Sequence, residues 1–308
     1  MAPGRAAGGK KINNITRINM KKDVKPIIII GAPRSGTNML RDLLSAQPDF
    51  ATWPCDEINY IWRYGHSGYP YDELTPEHIT PGIEKYIRKQ FYRVSKKYRS
   101  RHVVEKTCAN CLRLDYVDSM FPDALYINIL RDGRDAASSA LKRWKAPLDI
   151  PYVLKKARFV PLKDLPYYAA RYLKTHVHRL LFSKDKSLSI WGPKFAGYEE
   201  IVREKSLIEV CGVQWMRCVR KSREVFENRI DKKRYIQIRY EDFVKEPMQG
   251  MITIFDYFGF SYDPGVLQEE CKTVWGGSVG KWQRDLSKEQ KALLSALLKG
   301  ELKKLDYA

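Results

Sequence analysis

Residues 25–45 read KPIIIIGAPRSGTNMLRDLLS, and the fold follows from this stretch. Ile27–Ile30 is a β-branched run, apolar on both faces, as a strand inside a parallel sheet requires. Gly31, Pro33 and Gly36 break the run into a tight loop. Thr37 or Asn38 is placed to cap the helix that follows, whose apolar face is Met39, Leu40, Leu43 and Leu44. Strand, loop and helix start in this order aim backbone N–H groups at one point, where an anion, most often a phosphate, binds.

The loop almost satisfies the phosphate-binding pattern GxxxxGK[ST], and its departure is informative. Gly31 and Gly36 keep the spacing, but Thr37 stands where the pattern needs Lys and Asn38 where it needs a metal-binding hydroxyl. The positive charge has moved into the loop, to Arg34. Such a loop can hold phosphate without a lysine or an evident magnesium ligand, which argues against ordinary ATP hydrolysis.

With 308 residues, 44% hydrophobic and 12% aromatic, the chain can bury a substantial core. No apolar run approaches the ~18 residues of a membrane span. Residues 1–24 lack the apolar core of a signal peptide and are expected to form a basic flexible tail, with residues 25–308 as a single domain. The triplet Asn14-Ile15-Thr16 lies in that tail and is expected to be a chance match to a glycosylation site. Six cysteines are too few for a disulfide scaffold, and Cys108 and Cys111 form CxxC without a second pair, so no metal site is expected. A reducing, cytoplasmic location is the resulting expectation. The net charge of +19 favours anionic partners, with seven of the basic residues in the first 26 positions.

Further along, Glu57 lies in CDEINYI, amid Trp53, Tyr60, Trp62 and Tyr64. A basic helix is expected at 81–98, capped by Thr80, with Ile83, Ile87, Phe91 and Val94 inward. HVVEKT predicts a short strand at 102–104, followed by Glu105, Lys106 and Thr107 and a helix over 109–120. ALYINILRDGRDAASSALKRW repeats the opening arrangement, with a strand at 125–130, a turn at Arg131-Asp132-Gly133 and a helix from Asp135 to Arg143. Repeated strand–turn–helix units imply an α/β fold with a central parallel sheet flanked by helices, as in P-loop nucleotide-binding proteins. Ligands of such sheets sit beyond the strands' carboxyl ends, which gathers Arg34, Glu57, Lys106 and Arg131 around one crevice.

Residues 145–205 are rich in Pro and aromatics with weak periodicity, and are expected to form a helical or irregular cap over the substrate. A helix at 206–228, a strand at 234–239 and a helix from 247 follow. Then comes GGSVGKWQRDL, a second Gly-rich loop, and a capping box of Ser287 and Gln290 before the last helix.

Four elements, PRSGT, a downstream Glu, EKT and LRDGRDAASSA, together resemble the sulfotransferases that use 3′-phosphoadenosine 5′-phosphosulfate (PAPS). Among these, the motif style is most similar to the glycan, tyrosylprotein and bacterial enzymes. The resemblance covers about residues 25–290. It implies that Pro33, Arg34, Ser35, Gly36, Thr37 and Asn38 cradle the 5′-phosphosulfate, and that Arg131 and Ser139 bind the 3′-phosphate. It places Tyr240, Ser278, Gly280, Lys281 and Trp282 with the donor-binding set. It implies Glu57 as the base, Lys106 against the leaving phosphate and Arg34 on the transferring group. His66 and His102 are the alternative bases, His102 being read as a packing residue.

The implied reaction is in-line transfer of a sulfuryl group from PAPS to a hydroxyl, amine or guanidinium acceptor, leaving 3′,5′-ADP (PAP) and needing no metal. The acceptor could be a small alcohol, phenol or amine metabolite, a glycan or an acidic peptide. Nucleic acid is not an expected partner, and a homodimer is compatible with the sequence. Two other readings compete: a metal-dependent P-loop nucleotide kinase or phosphotransferase, and a noncatalytic polyanion-binding protein.

Overall fold

The computed structural model describes residues 24–145, 158–168, 170 and 191–307. The expected basic tail, the Asn14 triplet and most of the expected cap lie outside the described residues.

Five parallel strands form the sheet: β1 (Lys25–Ile30), β2 (Phe50–Ala51), β3 (His102–Lys106), β4 (Leu125–Leu130) and β5 (Tyr235–Arg239), in the order β2-β3-β1-β4-β5. β1 is central, with Ile27 against Val104 and Leu125. Its alternate residues point to opposite faces. Ile28 and Ile30 enter one core and Ile27 and Ile29 the other, and all four are fully buried. Burial of each contributes roughly 1.5–3 kcal/mol, so a continuous isoleucine run is stable only here, covered on both faces.

The helices supply that cover. They are α1 (Thr37–Ser45), α2 (Asn59–Trp62), α3 (Pro81–Tyr98), α4 (Leu114–Met120), α5 (Gly133–Lys145), α6 (Tyr198–Glu204) and α7 (Leu207–Asn228), then α8 (Tyr240–Phe243), α9 (Pro247–Phe258), α10 (Pro264–Cys271), α11 (Trp282–Asp285) and α12 (Lys288–Lys304). Residues of α3, α4, α5, α7 and α12 pack in one core, and residues of α1, α8, α9 and α10 in the other. α5 approaches α7 closely because Gly133 has no side chain; a Cβ there would lie 2.7 Å from the Trp215 ring.

The sequence expectations meet the structure unevenly. α3 begins as expected, with Thr80 accepting from the Ile83 N–H, and buries Ile83, Ile87, Phe91 and Val94. Ser287 and Gln290 cap α12. α1, however, has neither Thr37 nor Asn38 as its cap. The cap is Gly36 at φ 90°, with no side-chain hydrogen bond, so the first N–H groups of the helix are left open to an anion. β3 runs two residues further than expected and carries Glu105 and Lys106 inside the sheet, because their charges disguise a buried strand end. The expected helix over 109–120 is split into a 3-10 turn at Cys108–Leu112 and α4, with Arg113 outside helical geometry at φ −137° between them.

Candidate active site

β1, β3 and β4 end side by side, and the loops that follow them build the site. After β1, Ser35 N–H donates to the Ala32 carbonyl across a tight turn. Arg34 adopts a left-handed φ of 71° in that turn, a conformation that costs of order 1–3 kcal/mol in a residue with a side chain. Gly36 also has positive φ, and a Cβ added there would meet the Tyr240 ring at 2.6 Å, so no larger residue fits. Thr37 is buried where a Walker lysine would stand, with its hydroxyl 3.8 Å from Cys108 Sγ.

A carboxylate and an ammonium meet at the end of β3. Lys106 Nζ donates to Glu57 Oε1 at 3.1 Å, and the Cys108 N–H donates to the same oxygen at 3.3 Å. Lys106 is 5% exposed, while 27% of the Glu57 side chain reaches solvent. Burial pushes the Lys106 ammonium down, but the Glu57 carboxylate beside it outweighs that and leaves it above the ordinary value. Lys106 therefore stays charged at neutral pH. The Cys108 thiol is pushed well up, by burial first and then by the Glu57 charge, and stays protonated.

A second cluster lies at the end of β4. Arg34 Nε donates to Ser139 Oγ at 3.0 Å across to α5. Burial, then the nearby Arg131 and Arg143 charges, lower the Arg34 guanidinium. Arg131 donates to the Arg34 carbonyl at 2.8 Å and to the Ser278 carbonyl at 2.7 Å, and lies 4.3 Å over the Tyr240 ring. It thus ties the first loop to the second Gly-rich loop. Asp135 completes the tie, accepting from the Gly280 N–H at 2.7 Å and the Trp282 N–H at 2.9 Å.

Arg34, Glu57, Lys106, Arg131, Ser139, Tyr240, Ser278, Gly280 and Trp282 are thereby brought into two linked groups, with Thr37 between them. Pro33 and Ser35 are buried in the loop, and Asn38 is exposed on the first turn of α1. Lys281 Nζ sits 3.9 Å over the Trp275 ring. Arg134 grips Asp132 at 2.7 Å, donates to the Tyr307 carbonyl, and lies 4.6 Å over the Trp282 ring. His102 stacks on Phe50 at 4.8 Å, with burial lowering its pKa, and packs as read; His66 is bonded to the His78 carbonyl at 2.8 Å. Trp53 is buried against Phe91.

Sequence reasoning passed over Asp135, Glu105, Thr107 and the Cys108 N–H. Asp135 was legible only as an acidic neighbour of Arg134, since nothing local marks an aspartate that reaches a loop 145 residues away.

Two buried polar atoms here, Ser35 Oγ and Arg131 Nε, have no partner within the described structure. Together with the uncapped start of α1 they make a donor set suited to phosphate oxygens. The arrangement is a cationic cradle with a carboxylate–ammonium pair at one end.

The model of the Sulfotransferase family matches residues 26–205 of the chain. Protein-tyrosine sulfotransferase 1 of Danio rerio is 27% identical over 135 residues, 40% of this chain and 37% of that protein. Nodulation protein NoeE of Sinorhizobium fredii is 25% identical over 145 residues, 42% of this chain and 35% of that protein. Each match thus spans little more than a third of the relative's own length. The crystal structure of sulfotransferase STF9 from Mycobacterium avium superposes with a TM-score of 0.51 at 14% identity, covering 93% of this chain and 78% of that one.

Proposed function

This chain belongs to the sulfotransferase family, and we propose that it transfers a sulfuryl group from PAPS to a hydroxyl or amine acceptor, with Glu57 as general base. The observation that carries this reading is the Glu57–Lys106 pair, 3.1 Å apart, at the mouth of a phosphate-type loop. PAPS supplies the activated sulfuryl group. In the transfer a bond forms between the acceptor oxygen or nitrogen and sulfur, the bond from sulfur to the phosphate oxygen breaks, and the acceptor's proton goes to Glu57.

The residues divide the work by charge. Glu57 reaches solvent, so an acceptor can approach it, and general-base assistance is worth ~10²–10⁴-fold. Lys106 holds a fixed positive charge where the leaving phosphate gains its negative one. The loop from Pro33 to Asn38 offers its backbone N–H groups and the Ser35 hydroxyl to the 5′ end of the donor. Arg131, Ser139 and the loop around Ser278, Gly280, Lys281 and Trp282 suit the 3′-phosphate and the base. Arg34 was expected on the transferring group; its contact with Ser139 supports a place with the 3′-phosphate set instead.

The test is calorimetry of the protein with PAPS and 3′,5′-ADP, followed by an acceptor panel scored by release of 3′,5′-ADP from PAPS. A tyrosine in an acidic peptide heads the panel, given the relative named as a protein-tyrosine sulfotransferase and the +19 charge; an amino sugar, a phenol and an alkyl amine complete it. Binding of both nucleotides without magnesium is expected. A protein that binds ATP with magnesium and ignores PAPS is instead the phosphotransferase, a reading already weakened by the buried Thr37 in the lysine's place.

A further inference from the structure

The Glu57 side chain is held at Lys106 and at the Cys108 N–H, but the backbone beneath it is held by a different set of groups. The Ile58 N–H donates to Thr107 Oγ1 at 3.2 Å. The Thr107 hydroxyl spends its own proton on Glu105 Oε1, at 2.5 Å. Glu105 Oε2 accepts from Asn110 Nδ2 at 2.8 Å. Asn110 Oδ1 in turn accepts from Arg113 Nε at 2.9 Å, and Arg113 Nη2 donates to Asn59 Oδ1 at 2.5 Å. The chain of bonds leaves residue 58 and returns at residue 59.

The relay is buried except at Asn59, which is half-buried: Thr107, Asn110 and Arg113 are fully enclosed and Glu105 is 1% exposed. A buried carboxylate is costly and persists only where its acceptors are used. Glu105 has two donors on its two oxygens, and both lead to the segment that carries Glu57. Glu105 and Thr107 also flank Lys106 on the same strand end, so one rigid element sets both halves of the carboxylate–ammonium pair.

We propose that Thr107 and Glu105 are positioning residues for Glu57: the relay Ile58 N–H to Thr107 to Glu105, closed through Asn110, Arg113 and Asn59, fixes the carboxylate of Glu57 at Lys106 and the Cys108 N–H. The proposal rests on the reading of Glu57 as the base. Thr107 gives the relay its direction, since its hydroxyl accepts from one side and donates to the other. Serine preserves both roles and valine, of the same shape, preserves neither.

The Cys108 amide proton reports the position of Glu57 without any substrate, because Glu57 Oε1 is its acceptor. Amide exchange at Cys108 is therefore measured by NMR in the wild type, Thr107→Val, Thr107→Ser and Glu105→Gln. Exchange about tenfold or more faster in Thr107→Val and Glu105→Gln, with Thr107→Ser like the wild type, is the expected result. Unchanged Cys108 protection in a folded Thr107→Val protein overturns the proposal.

Turnover of PAPS gives the second reading. In Thr107→Val kcat falls about tenfold or more while KM for PAPS stays, and Thr107→Ser restores it. Equal losses in valine and serine variants contradict a positioning role. A Glu57→Gln protein that keeps its turnover defeats the assignment of the base, and is told apart from failure of the relay because Cys108 exchange still answers the structural question. Should Thr107→Val not fold, Glu105→Gln and Thr107→Ser decide the matter by the same exchange measurement.

Discussion

At the scale of single residues, the site contains two carboxylates in adjoining segments with different surroundings. Glu57 faces solvent and a lysine, while Glu105 is enclosed and meets only neutral donors within hydrogen-bond reach among the described residues. Burial, set against hydrogen bonds and more distant cations, raises the Glu105 carboxyl from 4.5 to about 7. The folded protein therefore binds this proton more tightly than the unfolded chain does between those two values. Stability contributed by Glu105 falls as pH rises through that window, by linkage. Thermal melts from pH 4.5 to 7.5 are expected to show this downward component in the wild type and to lose it in Glu105→Gln; identical pH profiles would refute it. None of this was legible in the sequence, where EKT yields Lys106 as a charge at a strand end but says nothing of which neighbour is enclosed.

At the scale of elements, the two Gly-rich loops differ in how they are held. Arg131 bonds to both; the first is fixed in addition by its own strained turn, and the second by Asp135 of α5 through the Gly280 and Trp282 N–H groups. Replacing Asp135 by Asn turns an N–H donor toward groups that need an acceptor. A loss of ~1–3 kcal/mol is expected, seen as a lower melting temperature, together with roughly tenfold weaker binding of 3′,5′-ADP by calorimetry. Wild-type nucleotide affinity in Asp135→Asn would show that the second loop has no part in donor binding. The elements themselves were the most legible feature of the chain. The isoleucine run, the Thr80 cap and the Ser287 capping box are local signals, and each stands where its residues put it. β2 escaped notice because two residues, Phe50 and Ala51, are too few to carry a period. α1 was misjudged at its cap because a left-handed glycine does the work that Thr37 and Asn38 seemed placed to do.

At the scale of the whole molecule, a +19 chain gathers Arg34, Lys106 and Arg131 at the ends of β1, β3 and β4. Long-range attraction of this kind is screened within ~10 Å at 0.1 M salt, so association with 3′,5′-ADP is expected to weaken severalfold between low and high salt. Stopped-flow rates that ignore ionic strength would mean the excess charge serves some other surface. The order of motifs along the chain made this gathering legible, because a parallel sheet brings successive strand ends together. It could not reveal that Arg34 turns to Ser139, since that depends on side-chain direction across 105 residues of sequence. The proposed transfer depends most on Glu57. The decisive measurement compares wild type and Glu57→Gln for 3′,5′-ADP affinity and for PAPS turnover. Unchanged affinity with turnover reduced by about 100-fold or more is predicted; a Glu57→Gln protein that turns over PAPS like the wild type would contradict it.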